Sequence, residues 1–164
     1  MKIILLTHER ELHRPTNTGS LALELSGGMV ERVLWQRTQP NLALVALLAK
    51  QEAVLLYPAD KIAAASDCTS NHQLTELNTS TTNTIIILDG TWQETQKMYN
   101  KSDYLQRAPK LSLATRADST FVLRRNQIDG GLCTIECIIE LCKMQQQFEL
   151  ADTLLTAFVQ FNRR

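Results

Sequence analysis

The chain has 164 residues, of which 44% are hydrophobic and 21% are charged, and these proportions are typical of one soluble globular domain. Seventeen basic side chains balance seventeen acidic ones, so no net charge attracts nucleic acid or an anionic membrane, and any polyanion would have to bind a local basic patch. The apolar run at 42–49 is too short to span a membrane, and the apolar stretch near the N-terminus is too short for a secretory signal. We therefore expect a cytoplasmic protein without a membrane segment.

Short apolar runs separated by turn residues predict strands that alternate with helices in the first half of the chain. A helix is expected after Pro40-Asn41, and the polar stretch at 69–83 is expected to be a loop with one short helical turn at most. The last strand of this half, "TIIIL", is a continuous apolar run, which is typical of a central parallel strand covered on both faces. The predicted strands of this half are 2–7, 31–37, 53–59 and 84–88.

The second half of the chain is predicted to contain more helix. The helix at 134–149 has the most regular apolar spacing, and a turn is expected just before it at 129–131. The other predicted elements are helices at 91–101 and 152–164 and two possible strands at 109–114 and 120–125. Together these elements predict an α/β domain with a mostly parallel sheet flanked by helices.

The four cysteines do not predict a metal site. Three of them lie within ten residues of one another, but their spacing does not match a zinc ribbon and no histidine is close in sequence. We expect reduced side chains that pack as small hydrophobic groups and bind no metal. The cysteines are Cys68, Cys133, Cys137 and Cys142.

The clearest predicted strand runs directly into Asp89 and Gly90. In open α/β sheets, ligands bind beyond the carboxyl ends of the strands, so the position of Asp89 makes it a site candidate. Gly90 permits a sharp turn or a close approach of a ligand to the backbone. Two interpretations stay open. In the structural one, Thr91 and Glu94 form a capping box and Trp92 packs in the interior; in the functional one, this turn is part of a binding site.

Two further clusters are site candidates, although a structural role explains each of them. In the first, at 8–23, His8 and Arg14 lie on a loop, and Thr18-Gly19 precedes a helical pattern whose backbone N–H groups can face a ligand. In the second, at 124–137, Thr134 is expected to cap a helix and Glu136 to interact favourably with the helix dipole. No Walker loop, dinucleotide fingerprint or nucleophile elbow is present.

Three stretches in this order resemble the motifs of the DTW-domain family, which is named for its Asp-x-Thr-Trp signature. They are "RPTNTG" at 14–19, "LDGTW" at 88–92 and "LCTIEC" at 132–137. The stretches "LLYP" at 55–58 and "VLRR" at 122–125 also fall where the family has similar sequences. The resemblance covers nearly the whole chain. We therefore expect residues 1–164 to form a single DTW domain without the N-terminal cysteine cluster of longer relatives.

The resemblance implies a SPOUT-like α/β fold with a C-terminal knot in which S-adenosyl-L-methionine is bound. It also implies the reaction, which is transfer of the 3-amino-3-carboxypropyl group of S-adenosyl-L-methionine to N3 of a uridine in tRNA, with release of methylthioadenosine. The implied partner is tRNA, with no obligate protein partner. Two alternatives stay open: an RNA methyltransferase on the same fold, and a non-catalytic RNA-binding module that retains the cofactor pocket.

Roles for individual residues follow from this resemblance. Asp89 would be the base that accepts the proton of uracil N3, and Trp92 would cover the methyl group of the sulfonium and face its positive charge. The expected cofactor contacts are Thr18, Leu88, Gly90, Thr91, Trp92, Leu111, Leu113, Leu132 and Thr134. The expected contacts to RNA phosphates are Arg14, Lys97, Lys101, Arg116, Arg124 and Arg125. The chain departs from the family pattern at Glu9, Ser20, Thr95 and Cys137, and Ser20 replaces a common arginine.

Overall fold

A computed structural model describes residues 1–58, 83–113, 119–123 and 131–163, in which five parallel strands form one sheet in the order β2-β1-β4-β3-β5. The strands are β1 (Lys2–Thr7), β2 (Val30–Leu34), β3 (Ala53–Leu56), β4 (Thr84–Asp89) and β5 (Lys110–Leu111). The helices are α1 (Gly19–Leu25), α2 (Leu42–Ala49), α3 (Trp92–Asn100), α4 (Asp103–Gln106), α5 (Thr134–Met144) and α6 (Phe148–Phe161), with a 3-10 turn at Glu9–Glu11. The predicted α/β fold with a parallel sheet is confirmed.

Hydrophobic clusters cover both faces of the sheet. Successive side chains of a strand point to opposite faces, so Ile3 and Leu5 of β1 join one cluster while Ile4 and Leu6 join the other. The first cluster contains residues of α1, α5 and α6, and the second contains residues of α2, α3 and α4. The central strand β4 is therefore covered on both faces, as its continuous apolar run predicted.

Strand β2 ends earlier than the predicted range of 31–37. It pairs with β1 as far as Leu34, and the next residue, Trp35, is the last to bond to β1, through its backbone N–H and the carbonyl of Thr7 at 2.9 Å. The Trp35 indole N–H donates to the Ser102 hydroxyl at 2.9 Å, and its ring stacks on His8 with 5.6 Å between the centroids. These side-chain contacts hold the chain at the end of the strand, so the sheet does not continue.

Of the two strands predicted after α4, the first is present but shorter, and the described part of the second is not a strand. Among the described residues 109–113 of the predicted range 109–114, Lys110–Leu111 is the strand, because the partner strand β3 ends at Leu56. Residues 120–123 belong to no strand, and their backbone bonds to side chains instead. Glu136 accepts hydrogen bonds from the backbone N–H of Thr120 at 2.7 Å and from the hydroxyl groups of Ser119 and Thr120, and Asn162 accepts from the Val122 N–H at 3.0 Å.

The helix boundaries follow local capping signals where such signals exist. The Asn41 side chain accepts from the N–H of Leu44 and caps α2, and Thr91 and Glu94 form the predicted capping box of α3. The single helix predicted at 134–149 is wrong at its end, since α5 stops at Met144 and α6 begins at Phe148. Gln146 has a φ of 59°, and the backbone N–H of Gln147 bonds to the carbonyl of Cys142 at 2.9 Å, which is the Schellman ending of a helix.

Some predictions concern residues outside the described part of the chain. They are the loop at 69–82, the turn residues 129 and 130, and positions 114, 124 and 125 of the two predicted strands. The SPOUT-like knot stays a prediction. No helix among the described residues is long and apolar enough to cross a membrane.

The hydrogen bonds of Glu136 predict a measurable contribution to stability. We expect Glu136→Gln to lower the free energy of unfolding by about 3 kcal/mol, because the amide that replaces one carboxylate oxygen cannot accept hydrogen bonds from the donors around it. Urea unfolding monitored by circular dichroism gives the difference. Glu140→Gln, one turn further along α5, is the matched control, since its bond to Lys143 is solvent-exposed and contributes about 0.5 kcal/mol or less. Equal losses for the two variants would contradict the assignment.

Candidate functional site

The candidate site lies at the carboxyl edge of the sheet, where β4 ends in Asp89. The register pairs Asp89 with Thr7 of β1, and the backbone N–H of His8 donates to the Asp89 carbonyl at 3.0 Å. The Asp89 residue is only 2% exposed. A charged carboxylate is stable at such a buried position only if several donors surround it.

Donors from four separate parts of the chain surround the Asp89 carboxylate. Its Oδ2 accepts from the Thr7 hydroxyl at 3.1 Å and from the Asn17 amide at 3.0 Å, and it lies 3.7 Å from Nη2 of Arg32. Its Oδ1 accepts from the Thr134 hydroxyl at 3.0 Å. The end of β1, the loop before α1, the edge strand β2 and the first residue of α5 therefore meet at one side chain.

A second set of charges extends this network toward α3. The Asn17 amide also donates to Oε2 of Glu11 at 3.0 Å, and Glu11 forms an ion pair with Arg14. Arg14 reaches Oε1 of Glu94 at 3.5 Å. Burial alone would raise the pKa of the Glu94 carboxyl, but hydrogen bonds from Thr91 and the charge of Arg14 together lower this pKa below its ordinary value. Asn17 of the first motif is thus hydrogen-bonded to Asp89 of the second, and Arg14 of the first motif forms an ion pair with Glu94, two residues after the second.

The turn after Asp89 starts helix α3. The Thr91 hydroxyl accepts from the Glu94 N–H, and Glu94 Oε2 accepts from the Thr91 N–H at 2.8 Å. Gly90 and Trp92 are each half-buried, and the backbone carbonyl of Trp92 accepts from the Thr95 hydroxyl at 2.9 Å. Both interpretations of the signature therefore retain support: the capping box is present, and the carboxylate lies at the end of the strand beside it.

The hydrophobic residues expected to contact the cofactor do not all lie on one face of the sheet. Leu88 packs against the cluster on the face opposite to Asp89, whereas Leu111 and Leu113 belong to the cluster on the Asp89 face. Leu111 is buried, while Leu113 and Leu132 are half-buried. A ligand that contacts both groups would have to extend past the carboxyl ends of the strands.

The two threonines expected to bind the cofactor contact other parts of the site. The Thr134 hydroxyl donates to Asp89, so the expectation that Thr134 caps α5 is wrong; the cap position is Cys133, whose N–H donates to Glu136 at 2.8 Å. The Thr18 hydroxyl accepts from the backbone N–H of Ile135 at 3.4 Å. The first motif therefore supplies an acceptor to the start of α5, which sequence spacing alone did not indicate.

The residues expected to contact RNA differ in their exposure and in their ion pairs within the protein. Arg14 is engaged with two carboxylates, and about 31% of its side chain is exposed. Lys97 and Lys101 are exposed at the end of α3 and just after it. The remaining expected contacts, Arg116, Arg124 and Arg125, lie outside the described residues.

The described cysteines have the properties of packed, unreactive thiols. Burial raises the pKa of the Cys137 thiol to about 12, and burial also raises the pKa values of Cys133 and Cys142. A raised pKa leaves little thiolate at neutral pH. Among the described residues, which exclude Cys68, no group of three or more His, Cys, Asp or Glu side chains is arranged to hold a metal ion.

Besides Asn17, which lies in the first motif but was assigned no role, three members of the site were not identified from the sequence. Thr7 ends a strand, Glu11 lies in a charged loop, and Arg32 lies in the middle of an edge strand. Only Thr7 had a usable signal, because it is the last residue of a predicted parallel strand and such strand ends meet at one edge of the sheet. The roles of Glu11 and Arg32 depend on partners that are distant in sequence.

The fold and site define an α/β protein with a polar centre at the carboxyl edge of a parallel sheet. The family model of the DTW domain matches residues 1–164, and the chain belongs to this family, as its three motifs indicated.

The chain is 26% identical over 162 residues to tRNA-uridine aminocarboxypropyltransferase 2 of Drosophila melanogaster, a match that covers 94% of this chain and 60% of that protein. It is 30% identical over 73 residues to the protein of the same name from Macaca fascicularis, covering 44% of this chain and 24% of that protein. The chain thus spans less than two thirds of either relative, and no solved structure matches it.

The close packing of Gly19 beside Asp89 allows a prediction of how one added methyl group at Gly19 changes stability. A Cβ on Gly19 would lie 2.9 Å from Oδ1 of Asp89 and 3.0 Å from Cδ1 of Leu5, and the hydrogen bonds of Asp89 prevent that carboxylate from moving away. We expect Gly19→Ala to destabilise the protein by about 1–3 kcal/mol, although alanine normally favours a helix over glycine. Thermal unfolding measures the change, and Glu24→Ala on the exposed face of α1 is the control. A stabilised Gly19→Ala variant would show that the carboxylate is not held in place.

Proposed function

We propose that the chain transfers the 3-amino-3-carboxypropyl group of S-adenosyl-L-methionine to N3 of a uridine in tRNA. The names of the two relatives support tRNA-uridine aminocarboxypropyl transfer, and the family resemblance supports the donor and the acceptor atom. One structural observation carries the proposal: Asn17 of the first motif, Asp89 of the second and Thr134 of the third meet at a single carboxylate. Such convergence is expected of motifs that share one reaction centre.

The proposed reaction forms a bond between uracil N3 and a carbon of the donor and breaks the bond from that carbon to sulfur. The electron pair of the broken bond stays on sulfur, which gives methylthioadenosine, and the proton of N3 goes to Asp89. Asp89 Oδ2 receives two hydrogen bonds and lies close to Arg32, but Oδ1 receives only the Thr134 hydroxyl among the described contacts. Oδ1 is therefore the oxygen with a lone pair available for the proton.

The proposed donor site is formed by residues that follow or flank Asp89. The indole ring of Trp92 would face the sulfonium charge and cover its methyl group, so that the larger arm is the group that reacts. Leu113 and Leu132 are half-buried and keep apolar surface that an adenine ring can cover, with Leu88 and Leu111 as further contacts. The polar contacts would come from Thr18, Thr134 and the turn Gly90-Thr91.

Phosphate contacts to tRNA are proposed for six basic residues. Lys97 and Lys101 are exposed, so their ammonium groups can reach a ligand without breaking an interaction with the described residues. Arg14 would have to contact RNA with the exposed part of a side chain that also pairs with Glu11 and Glu94. The other proposed contacts are Arg116, Arg124 and Arg125.

The reaction is tested by incubating the purified protein with S-adenosyl-L-methionine and unmodified tRNA and analysing the nucleosides by mass spectrometry. A uridine that is heavier by an aminocarboxypropyl group is the expected product. A methyl-sized increase would instead identify an RNA methyltransferase on this fold. Cofactor and tRNA binding without any modified nucleoside would identify a binding module that lacks the chemistry.

Removing the charge of Asp89 separates catalysis from binding. We expect Asp89→Asn to lower the rate of aminocarboxypropyl transfer by about a hundredfold or more, because the amide cannot accept the N3 proton. Calorimetric titration with S-adenosyl-L-methionine checks that the folded binding site remains. Asp103→Asn, at the exposed start of α4, removes the same charge elsewhere and is expected to retain full activity. An active Asp89→Asn variant would eliminate Asp89 as the base.

A further inference from the structure

An open groove of about 360 Å³ lies at the carboxyl end of the edge strand β2, beside the site already described. None of its lining residues is acidic, one is a cation and three carry carboxamide groups. Its volume is within the range of pockets that bind small ligands. The lining residues are Arg32, Val33, Leu34, Gln36, Gln39 and Asn41.

Arg32 belongs both to this groove and to the network around Asp89. Its Nη2 donates to the Ser20 hydroxyl at 3.1 Å and to the Asn17 carbonyl oxygen at 3.3 Å, and the same atom lies 3.7 Å from Asp89 Oδ2. Its Nε–H is buried and finds no acceptor among the described residues. A guanidinium has five N–H donors, and the Arg32 side chain is 22% exposed, so its exposed part can donate to a further acceptor.

The strand order places the groove on the opposite side of Asp89 from Leu111 and Leu113, two of the proposed adenine contacts. Strand β4, which carries Asp89, has β1 and then β2 on one side and β3 and then β5 on the other. The proposed adenine contacts Leu111 and Leu113 lie on the β5 side, whereas the groove lies at β2. A second reactant that approaches Asp89 from the side away from the donor would pass over the groove.

We propose that the groove binds the RNA nucleotide next to the reacting uridine, with Arg32 as the contact shared by this nucleotide and the Asp89 network; this rests on the proposed function. A guanidinium complements phosphate and base acceptors, and the carboxamides of Gln36 and Gln39 offer both a donor and an acceptor to a base edge. The apolar surface of Val33 and Leu34 suits the face of an unstacked base. Recognition of this kind needs no strongly basic surface, in agreement with the balanced charge of the chain.

A negative charge placed in the groove tests this proposal. We expect Leu34→Glu to raise the Kd for unmodified tRNA about fivefold or more, because the new carboxylate repels the RNA backbone and neutralises Arg32. Fluorescence anisotropy gives this Kd, and calorimetry is expected to show unchanged affinity for S-adenosyl-L-methionine. Val159→Glu on α6 is the matched control, since the two parent side chains are 39% and 41% exposed and the charge change is the same.

A second measurement reports position directly. Photo-cross-linking of the wild-type protein to tRNA that contains 4-thiouridine is expected to label the peptide that contains Gln36, and the Gln36→Ala/Gln39→Ala variant is expected to weaken tRNA binding. Both glutamines are exposed, so this variant keeps its fold. Gln147→Ala/Gln160→Ala, at two exposed glutamines outside the groove, is the control.

Each outcome has a distinct meaning. Unchanged tRNA affinity in both groove variants, or weakened cofactor affinity with unchanged tRNA affinity, would overturn the groove assignment even if the protein transfers the aminocarboxypropyl group. Weakened tRNA binding in the groove variants, together with cross-links in the groove, would support the assignment even if no modified uridine forms. In that last case the proposed reaction would be wrong and the RNA-binding groove would stand.

Discussion

The arrangement of the candidate site depends on one requirement, which is that the buried carboxylate at the end of β4 needs hydrogen-bond donors around it. Asp89 is almost fully buried, and a buried charge without donors would be strongly unfavourable. Its donors come from Thr7, Asn17 and Thr134, with Arg32 close by, and these residues lie on four different parts of the chain. The carboxylate therefore fixes the relative positions of β1, the first-motif loop and the start of α5.

The ion pairs around this carboxylate extend the same constraint. Glu11, Asp89 and Glu94 supply three carboxylates, and the two guanidinium groups that face them come from Arg14 and Arg32. Because Arg14 contacts both Glu11 and Glu94, it joins the first-motif loop to the start of α3. A planar guanidinium can bridge two carboxylates in this way, whereas the compact ammonium of lysine suits the geometry less well.

Sequence patterns predicted those parts of the fold whose causes are local. The continuous apolar run of β4, the helix start after Asn41 and the capping box of Thr91 and Glu94 are all short-range signals, and each was confirmed. The family motifs identified the DTW domain correctly. Two of the failures have non-local causes: Trp35 bonds to Ser102 at the end of β2, and Glu136 bonds to Thr120 at the start of the second predicted strand. The break at Gln146 had no glycine to mark it.

The site shows the same division between local and non-local causes. The position of Asp89 at a strand end was predictable from the sequence, but its partners were not, because hydrogen bonds to Asn17 and Thr134 span 72 and 45 residues. Thr134 illustrates the point, since its place near a helix start indicated a cap, while the structure directs its hydroxyl to Asp89. Spacing within a motif identifies residues that belong to a site, whereas their contacts depend on how separate motifs meet.

The balance of positive and negative side chains also bears on how the proposed RNA substrate would be recognised. With seventeen positive and seventeen negative side chains, the chain has no net charge to attract RNA over long distances. Under the proposed function, selectivity for a target nucleotide would then rely on local contacts, including those close to the reacting base. Arg32 is suited to this purpose, because one guanidinium contacts the Asp89 network and also lines the groove beside it. Such an arrangement would make recognition of the nucleotide and alignment of the carboxylate depend on the same side chain.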